Sequence, residues 1–284
     1  MEPAGKIGVL GTGTMGAGIV QLAAQSGHTV IACDSSVEAL ERAQVSVGEG
    51  LLRFAEKSVF TEEEASAHRD RVRWTTNTEE LRGSGVVIEA IVEKIGPKKG
   101  ALSALDALLP PEALLFTNTS SISITDLASA TNRPEKVCGT HFFTPPPVRE
   151  AVEVPRGLLT SDETVERAKA LVRSFGKLPI VVEKDVPGFV ANRFLMPMIL
   201  EACRLLEDGV ATKEDIDLLA KKGLGFPVGP FELGDFIGLD VARDVTSYVH
   251  AQLDEPYYAP PRILEELVRA GRLGRKSGAG FYDY

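Results

Sequence analysis

The chain has 284 residues, 44% hydrophobic and 25% charged, which suits a soluble globular protein of two domains, or one large domain with an appendage. Its net charge of −9 argues against nonspecific binding to nucleic acid or anionic membrane, yet leaves room for a phosphate-bearing cofactor held by backbone N–H groups. Cys33, Cys138 and Cys203 are widely spaced and form no Cys-x-x-Cys pair, so reduced thiols in a cytoplasm are expected, with neither a disulfide framework nor a metal site.

From Met1 the sequence runs through Lys6 into Ile7–Leu10 and at once into glycines, and no secretory leader is read there. The apolar stretch from Ala101 to Phe116 is broken by Asp106 and Pro110-Pro111, so no membrane span is expected. Ile7–Leu10 reads as a buried strand, followed by Gly11-Thr12-Gly13-Thr14-Met15-Gly16 and a helical pattern ending at Gly27. His28–Cys33 is a second strand, and it stops at Asp34. Strand, turn, helix, strand and terminal acid make the dinucleotide-binding unit. Gly11 permits the tight turn, Gly13 lets the backbone approach a pyrophosphate, and Gly16 lets helix and strand pack closely. The helix N-terminus, with Thr14 and Met15 in its first turn, supplies N–H donors and a positive dipole end. Asp34 lies about 20 residues beyond the glycines, where a carboxylate accepts from the ribose hydroxyls and repels a 2′-phosphate. Ser35-Ser36 follows with no arginine, so NAD is expected over NADP. A strand-end cap is the plainer reading of Asp34, and His28 reads as structural.

Residues 37–58 and 61–70 read as helices, the second opened by Thr61-Glu62-Glu63-Glu64. Val72-Arg73-Trp74, Gly85–Ile91 and Leu114–Thr117 read as strands. Ligands of open parallel sheets bind beyond the carboxyl ends of strands, which makes Glu89, Glu93 and the Asn118-Thr119-Ser120-Ser121 cluster candidates for the cofactor crevice. Helix capping is the alternative for this cluster, although Ser123-x-x-Asp126 is itself a capping box for the next helix. Val137–Phe143 reads as a further strand, and Ala151–Val154 as another that carries Glu153. A carboxylate in an apolar strand needs a partner. His141 on a neighbouring strand would make the pair a general base, while Arg149 or Arg156 would make it a structural salt bridge.

Ile180–Val182 reads as the last strand of a first domain spanning residues 1–185. Beyond Lys184–Gly188 the apolar spacing becomes helical, from Phe194 to Leu206 and from Ile216 to Leu219. Thr212-x-x-Asp215 opens one helix, and Leu233–Tyr248 reads as another. His68 and His250 read as solvated or structural. The fold class is therefore α/β: an N-terminal Rossmann-type domain with a mostly parallel sheet, then an all-α domain over 186–284.

Several motifs occur together in order: the Gly11–Gly16 fingerprint, Val87–Glu93, Asn118–Ser121, His141-Phe142-Phe143-x-Pro145 and Pro187–Arg193. Gly229–Leu233 and Gly274–Tyr282 complete the set. Over essentially the whole chain this resembles the L-3-hydroxyacyl-CoA dehydrogenases, in particular the short bacterial 3-hydroxybutyryl-CoA dehydrogenases. The resemblance implies that His141 is the catalytic base, with Glu153 as its orienting partner. It implies that Ser120 and Asn192 hydrogen-bond the substrate's C3 oxygen, that Glu93 and Lys98 line the cofactor crevice, and that Lys57 contacts coenzyme A. It also implies that the helical domain forms a homodimer and closes the substrate cleft. The chain departs from the family pattern where Thr144 replaces Asn ahead of three prolines, and where Gly50 replaces a polar residue. These departures bear on the carrier and the acyl group. The reading is thus an NAD-dependent oxidoreductase of 3-hydroxyacyl and 3-ketoacyl thioesters. An acyl carrier protein or a free hydroxy acid as substrate, and a non-catalytic protein that keeps the fold, are the alternatives.

Overall fold

Runs of four wholly buried residues such as Val30–Cys33 and Leu114–Thr117 are the mark of strands covered on both faces. In the computed structural model, which describes residues 6–284, these two and four further strands form one all-parallel sheet. They are β1 (Ile7–Leu10), β2 (Val30–Cys33), β3 (Val72–Thr75), β4 (Val86–Glu89), β5 (Leu114–Thr117) and β6 (Val137–Gly139). Their order is β3-β2-β1-β4-β5-β6, so the chain reverses its direction of travel across the sheet between β1 and β4. That switch point is where an open parallel sheet leaves a crevice beyond its strand ends. Helices α1 (Thr14–Gln25), α2 (Val37–Glu56), α3 (Glu62–Arg69), α4 (Ile95–Leu108), α5 (Ile124–Ala128) and α6 (Asp162–Ser174) complete the first compact unit, which ends at Asp185.

The segment expected as one strand from Val137 to Phe143 is broken at Thr140, whose N–H donates to the Thr117 carbonyl at 2.8 Å. Beyond the break the chain enters a second, three-stranded sheet in the order β7 (His141–Phe142), β8 (Ala151–Pro155), β9 (Leu178–Val182). β7 and β8 run antiparallel, with His141 directly opposite Glu153. β9 lies parallel to β8.

The second unit, Val186–Tyr284, contains α7 (Ala191–Glu207), α8 (Lys213–Lys222), α9 (Pro230–Ile237), α10 (Leu239–Leu253) and α11 (Arg262–Arg269). Its core gathers Ile199, Leu200, Cys203, Phe231, Leu239, Leu264 and Phe281. The single helix expected over Leu233–Tyr248 is two, because Gly238 at φ 104° takes a conformation that ends α9 and starts α10. Buried Asp235 accepts from the N–H groups of Phe281 and Tyr282, both at 2.9 Å, and so ties the last residues to α9. No helix among the described residues is long and apolar enough to cross a membrane.

His28 stands between α1 and β2 as a buried ring, edge-on to Phe175. The Ser174 hydroxyl donates to the Leu171 carbonyl, so its oxygen accepts from His28 Nε2 at 2.9 Å. That tautomer leaves Nδ1 unprotonated, and Nδ1 has no partner in its buried setting. Burial holds the His28 pKa below 6.5. The unfolded chain then takes up this proton first, so the His28 contribution is flat above about pH 6.5 and costs stability as pH falls below it. The drop in melting temperature between about pH 7.5 and 5.5 is expected to be smaller in His28→Leu than in the wild type. Equal drops in the two proteins would show that the ring is protonated in the fold without cost.

Candidate active site

Three glycines shape the loop between β1 and α1. Gly11 has φ 94°, and a Cβ there would meet the Ala90 carbonyl oxygen at 2.7 Å. At Gly16 a Cβ would lie 1.9 Å from the Gly11 carbonyl oxygen. Gly13 differs: a Cβ there would meet nothing within 4 Å. Gly13 is also the N-cap of α1 and offers no side-chain cap to the helix N–H groups. A helix N-terminus without a side-chain cap, with open space beside Gly13, is what a dinucleotide pyrophosphate requires, and the residues present fit that group.

Asp34, just past β2, is turned toward the same loop. Its Oδ2 accepts from the Thr12 N–H at 2.7 Å and the Thr12 hydroxyl at 3.1 Å, and its Oδ1 accepts from the Ser36 N–H at 3.0 Å. The carboxylate is thereby fixed beside the glycines, and the Ser36 contact is the strand-end cap of the plainer reading. Thr12 was not legible as the partner of Asp34, since the two stand 22 positions apart in sequence.

On the other side of the switch point, β4 and β5 end in a polar cluster, buried at Glu89, Lys98 and Thr119 and open to solvent at Glu93. Lys98 on α4 is 1% exposed, and its Nζ lies 2.8 Å from Glu89 and 3.2 Å from Glu93. Glu93 Oε1 accepts from the Thr119 hydroxyl at 2.6 Å, the Ser120 N–H at 2.8 Å and the Ser120 hydroxyl at 3.2 Å. Burial alone would raise the Glu93 pKa, but the Lys98 charge and these donors outweigh it and hold the group below its ordinary value. Asn118 Oδ1 accepts from the Phe142 N–H at 3.0 Å, which joins the end of β5 to β7. The sequence placed Glu89, Glu93 and Ser120 in one crevice, and the structure brings them together around a lysine.

His141 and Glu153 are 7% and 3% exposed, and His141 Nδ1 lies 2.8 Å from Glu153 Oε2. An ionised carboxylate only accepts, so Nδ1 carries the hydrogen and the basic lone pair belongs to Nε2. The ring of Phe143 stands 4.7 Å from the imidazole. The arginines of the salt-bridge alternative are engaged elsewhere: Arg156 with Asp162 and Glu183, Arg149 with the Thr144 carbonyl. The Thr144 hydroxyl donates to Met15 Sδ at 3.1 Å. Gly50, one of the departures from the family pattern, and Pro145–Pro147, the prolines that follow Thr144, meet in one pocket of about 220 Å³ that Thr14, Gln21 and Arg53 also line. Lys57 caps the C-terminal end of α2. Asn192 sits in the first turn of α7, in the second unit, and is 9% exposed.

Two family models match in tandem. Residues 6–186 match the 3-hydroxyacyl-CoA dehydrogenase NAD binding domain, and residues 188–284 match the C-terminal domain of the same enzymes. The chain belongs to the 3-hydroxyacyl-CoA dehydrogenase family. Among its relatives is a probable 3-hydroxybutyryl-CoA dehydrogenase of Bacillus subtilis, 44% identical over 98% of this chain and 97% of that protein. A 3-hydroxyadipyl-CoA dehydrogenase of Escherichia coli is 43% identical over 98% of this chain and 58% of its own length. The crystal structure of (S)-3-hydroxybutyryl-CoA dehydrogenase from Ralstonia eutropha superposes with a TM-score of 0.94 at 40% identity, covering 99% of both chains.

Proposed function

We propose that the chain is an NAD-dependent dehydrogenase that interconverts 3-hydroxyacyl and 3-ketoacyl thioesters of coenzyme A, of the 3-hydroxybutyryl-CoA and acetoacetyl-CoA type. The observation that carries this reading is the buried 2.8 Å pair of His141 and Glu153, in a chain of this family. NAD, when bound, supplies the hydride acceptor. The protein's own share is the proton. His141 Nε2 takes it from the C3 hydroxyl in the oxidation and returns it to the C3 ketone oxygen in the reduction. The imidazolium formed in between is stabilised by the Glu153 carboxylate, whose attraction is strong where water is excluded. On the family resemblance, Ser120 and Asn192 hydrogen-bond the C3 oxygen, and Lys57 contacts the carrier. Glu93, Lys98 and Asn118 belong to the cofactor crevice, with the Gly11–Gly16 loop at the pyrophosphate and Asp34 at the adenosine ribose.

Residues up to 185 form the NAD-binding domain in this reading, and 186–284 the substrate and dimerisation domain. A homodimer is supported by Val210, Leu218, Leu219 and Leu224, each more than half exposed. α8 carries Glu214 and Asp215 at one end and Lys221 and Lys222 at the other, so antiparallel pairing of two copies sets opposite charges together. Three buried free thiols support a cytoplasmic enzyme. A second reading, with the acyl group on an acyl carrier protein, is favoured by the meeting of Gly50 and the proline run in one pocket.

The test is NADH oxidation by the purified protein with acetoacetyl-CoA at neutral pH, with NADPH and acetoacetyl-acyl carrier protein in parallel arms. Rapid turnover with NADH and at least roughly tenfold less with NADPH is expected, because the Asp34 charge opposes a 2′-phosphate. NADH binding without turnover on the coenzyme A thioester, together with turnover on the carrier protein, would replace the first reading by the second.

A further inference from the structure

Glu89 is a fully buried carboxylate at the end of β4, and the proposed reaction gives it no part. A buried carboxylate persists only where a counter-charge and hydrogen bonds replace water. Glu89 has both. Oε1 accepts from the Ile91 N–H at 2.8 Å and Lys98 Nζ at 2.8 Å, and Oε2 from the Thr117 hydroxyl at 2.6 Å and Lys98 Nζ at 3.1 Å. Four donor contacts on two oxygens fit the ionised form.

Lys98 thus stands between two carboxylates, with two contacts to Glu89 and one of 3.2 Å to Glu93. Two carboxylates and one ammonium leave a surplus negative charge, and the inner carboxylate holds the ammonium more closely. The surplus therefore lies on Glu93, the outer member. Glu93 is the group that accepts from both the N–H and the hydroxyl of Ser120. A fully charged carboxylate is a much stronger acceptor than one tightly paired with an ammonium, so it holds Ser120 firmly by its N–H, the shorter of the two contacts, while the single O–H can turn to the substrate's C3 oxygen.

We infer that Glu89 is a positioning residue of this site: by drawing Lys98 inward, it leaves Glu93 to hold the Ser120 N–H and so to set where the serine hydroxyl stands. The inference rests on the proposed place of Ser120 at the substrate's C3 oxygen. Without the Glu89 charge, Lys98 has only Glu93 to pair with. Its ammonium, which lies at Glu93 Oε2, then draws closer to that carboxylate and weakens the hold of Oε1 on the Ser120 N–H. The effect passes through Glu93 alone, so the two glutamates must be coupled.

A double-mutant cycle reads that coupling. Acetoacetyl-CoA reduction is measured for the wild type, Glu89→Gln, Glu93→Gln and the double variant, per mole of folded NADH-binding sites. Glu89→Gln is expected to lower kcat roughly tenfold while KM for acetoacetyl-CoA stays within about twofold. In the Glu93→Gln background it is expected to change nothing further. A Glu89→Gln enzyme with wild-type kcat, or effects that multiply in the double variant, would overturn the inference. A purely structural Glu89 would lower the melting temperature and leave kcat per folded site unmoved. If Glu89→Gln does not fold, Glu89→Asp enters the same cycle, since it keeps the charge but withdraws it from Lys98 by one methylene. If the wild type turns over no thioester, the proposed function fails on its own. The cycle is then read in NADH affinity by fluorescence, where non-additivity supports the coupling and additivity refutes it.

Discussion

His141→Gln is expected to lower kcat for acetoacetyl-CoA reduction by about three orders of magnitude, with NADH affinity close to that of the wild type. That loss corresponds to about 4 kcal/mol of transition-state stabilisation, within the range of a positioned acid–base group. The glutamine amide can still donate to Glu153 Oε2, where the imidazole Nδ1 now stands at 2.8 Å, so the β7–β8 pairing has no reason to open. What glutamine cannot do is carry a proton. The dinucleotide loop lies between β1 and α1 in the other sheet, and Asp34 is anchored there by Thr12 and Ser36, without help from His141. Turnover and NADH binding are therefore separable, by steady-state kinetics and by fluorescence titration of the same preparation. If both collapse together in a folded variant, the imidazole is a structural element of the cofactor site. If turnover stays within tenfold of the wild type, another group moves the proton.

The sequence showed that Glu153 needs a partner, and left His141 and the arginines Arg149 and Arg156 as alternatives; the structure supplies His141. Glu153 in the apolar run of Ala151–Val154 demanded a partner, and a separation of twelve residues is a distance antiparallel strands span readily. Gly11 and Gly16 were legible for a similar reason, because steric limits admit few other residues there. The same signal was present at Glu89, a carboxylate inside Val86–Ile91, but its partner was not. Lys98 lies in the first turns of a helix, where a lysine is ordinarily solvated, and only the packing of α4 against β4 takes it to 1% exposure. Hydrophobic periodicity reports which face of an element is covered, and carries no information on which distant side chain covers it. The break at Thr140 escaped for that reason too: Val137–Phe142 is almost continuously buried, and a change of sheet leaves such a pattern intact. So the strand was read correctly as apolar and wrongly as continuous.

The loop glycines give a second, sharper separation, and one between fold and cofactor. Gly16→Ala is expected to cost both, since the new methyl would lie 1.9 Å from the Gly11 carbonyl oxygen and 2.8 Å from its carbon. Neither side can yield cheaply. The Gly11 N–H is held by the Cys33 carbonyl at 2.8 Å, and Gly16 lies within the hydrogen-bonded first turns of α1. Overpacking of this kind costs about 1–3 kcal/mol, which lowers the melting temperature by roughly 2–4 °C per kcal/mol in a domain of this size. The displaced helix also takes its N–H donors with it, so NADH affinity should fall by at least about a hundredfold. Gly13→Ala behaves differently. Gly13 has φ −61° and ψ −172°, which alanine adopts without strain, and its Cβ would meet no atom of the protein. Stability is expected to stay within about 1 kcal/mol of the wild type, because the freedom lost by the unfolded chain is set against the poor capping of α1 by alanine. NADH affinity should nevertheless fall as far as in Gly16→Ala, because the open space at Gly13 is where the pyrophosphate must approach the backbone. Thermal melts and NADH titrations of the two variants decide the matter. A Gly13→Ala protein that binds NADH normally would mean that the open space is not the phosphate site, and the assignment of the loop would fail even with the fold intact.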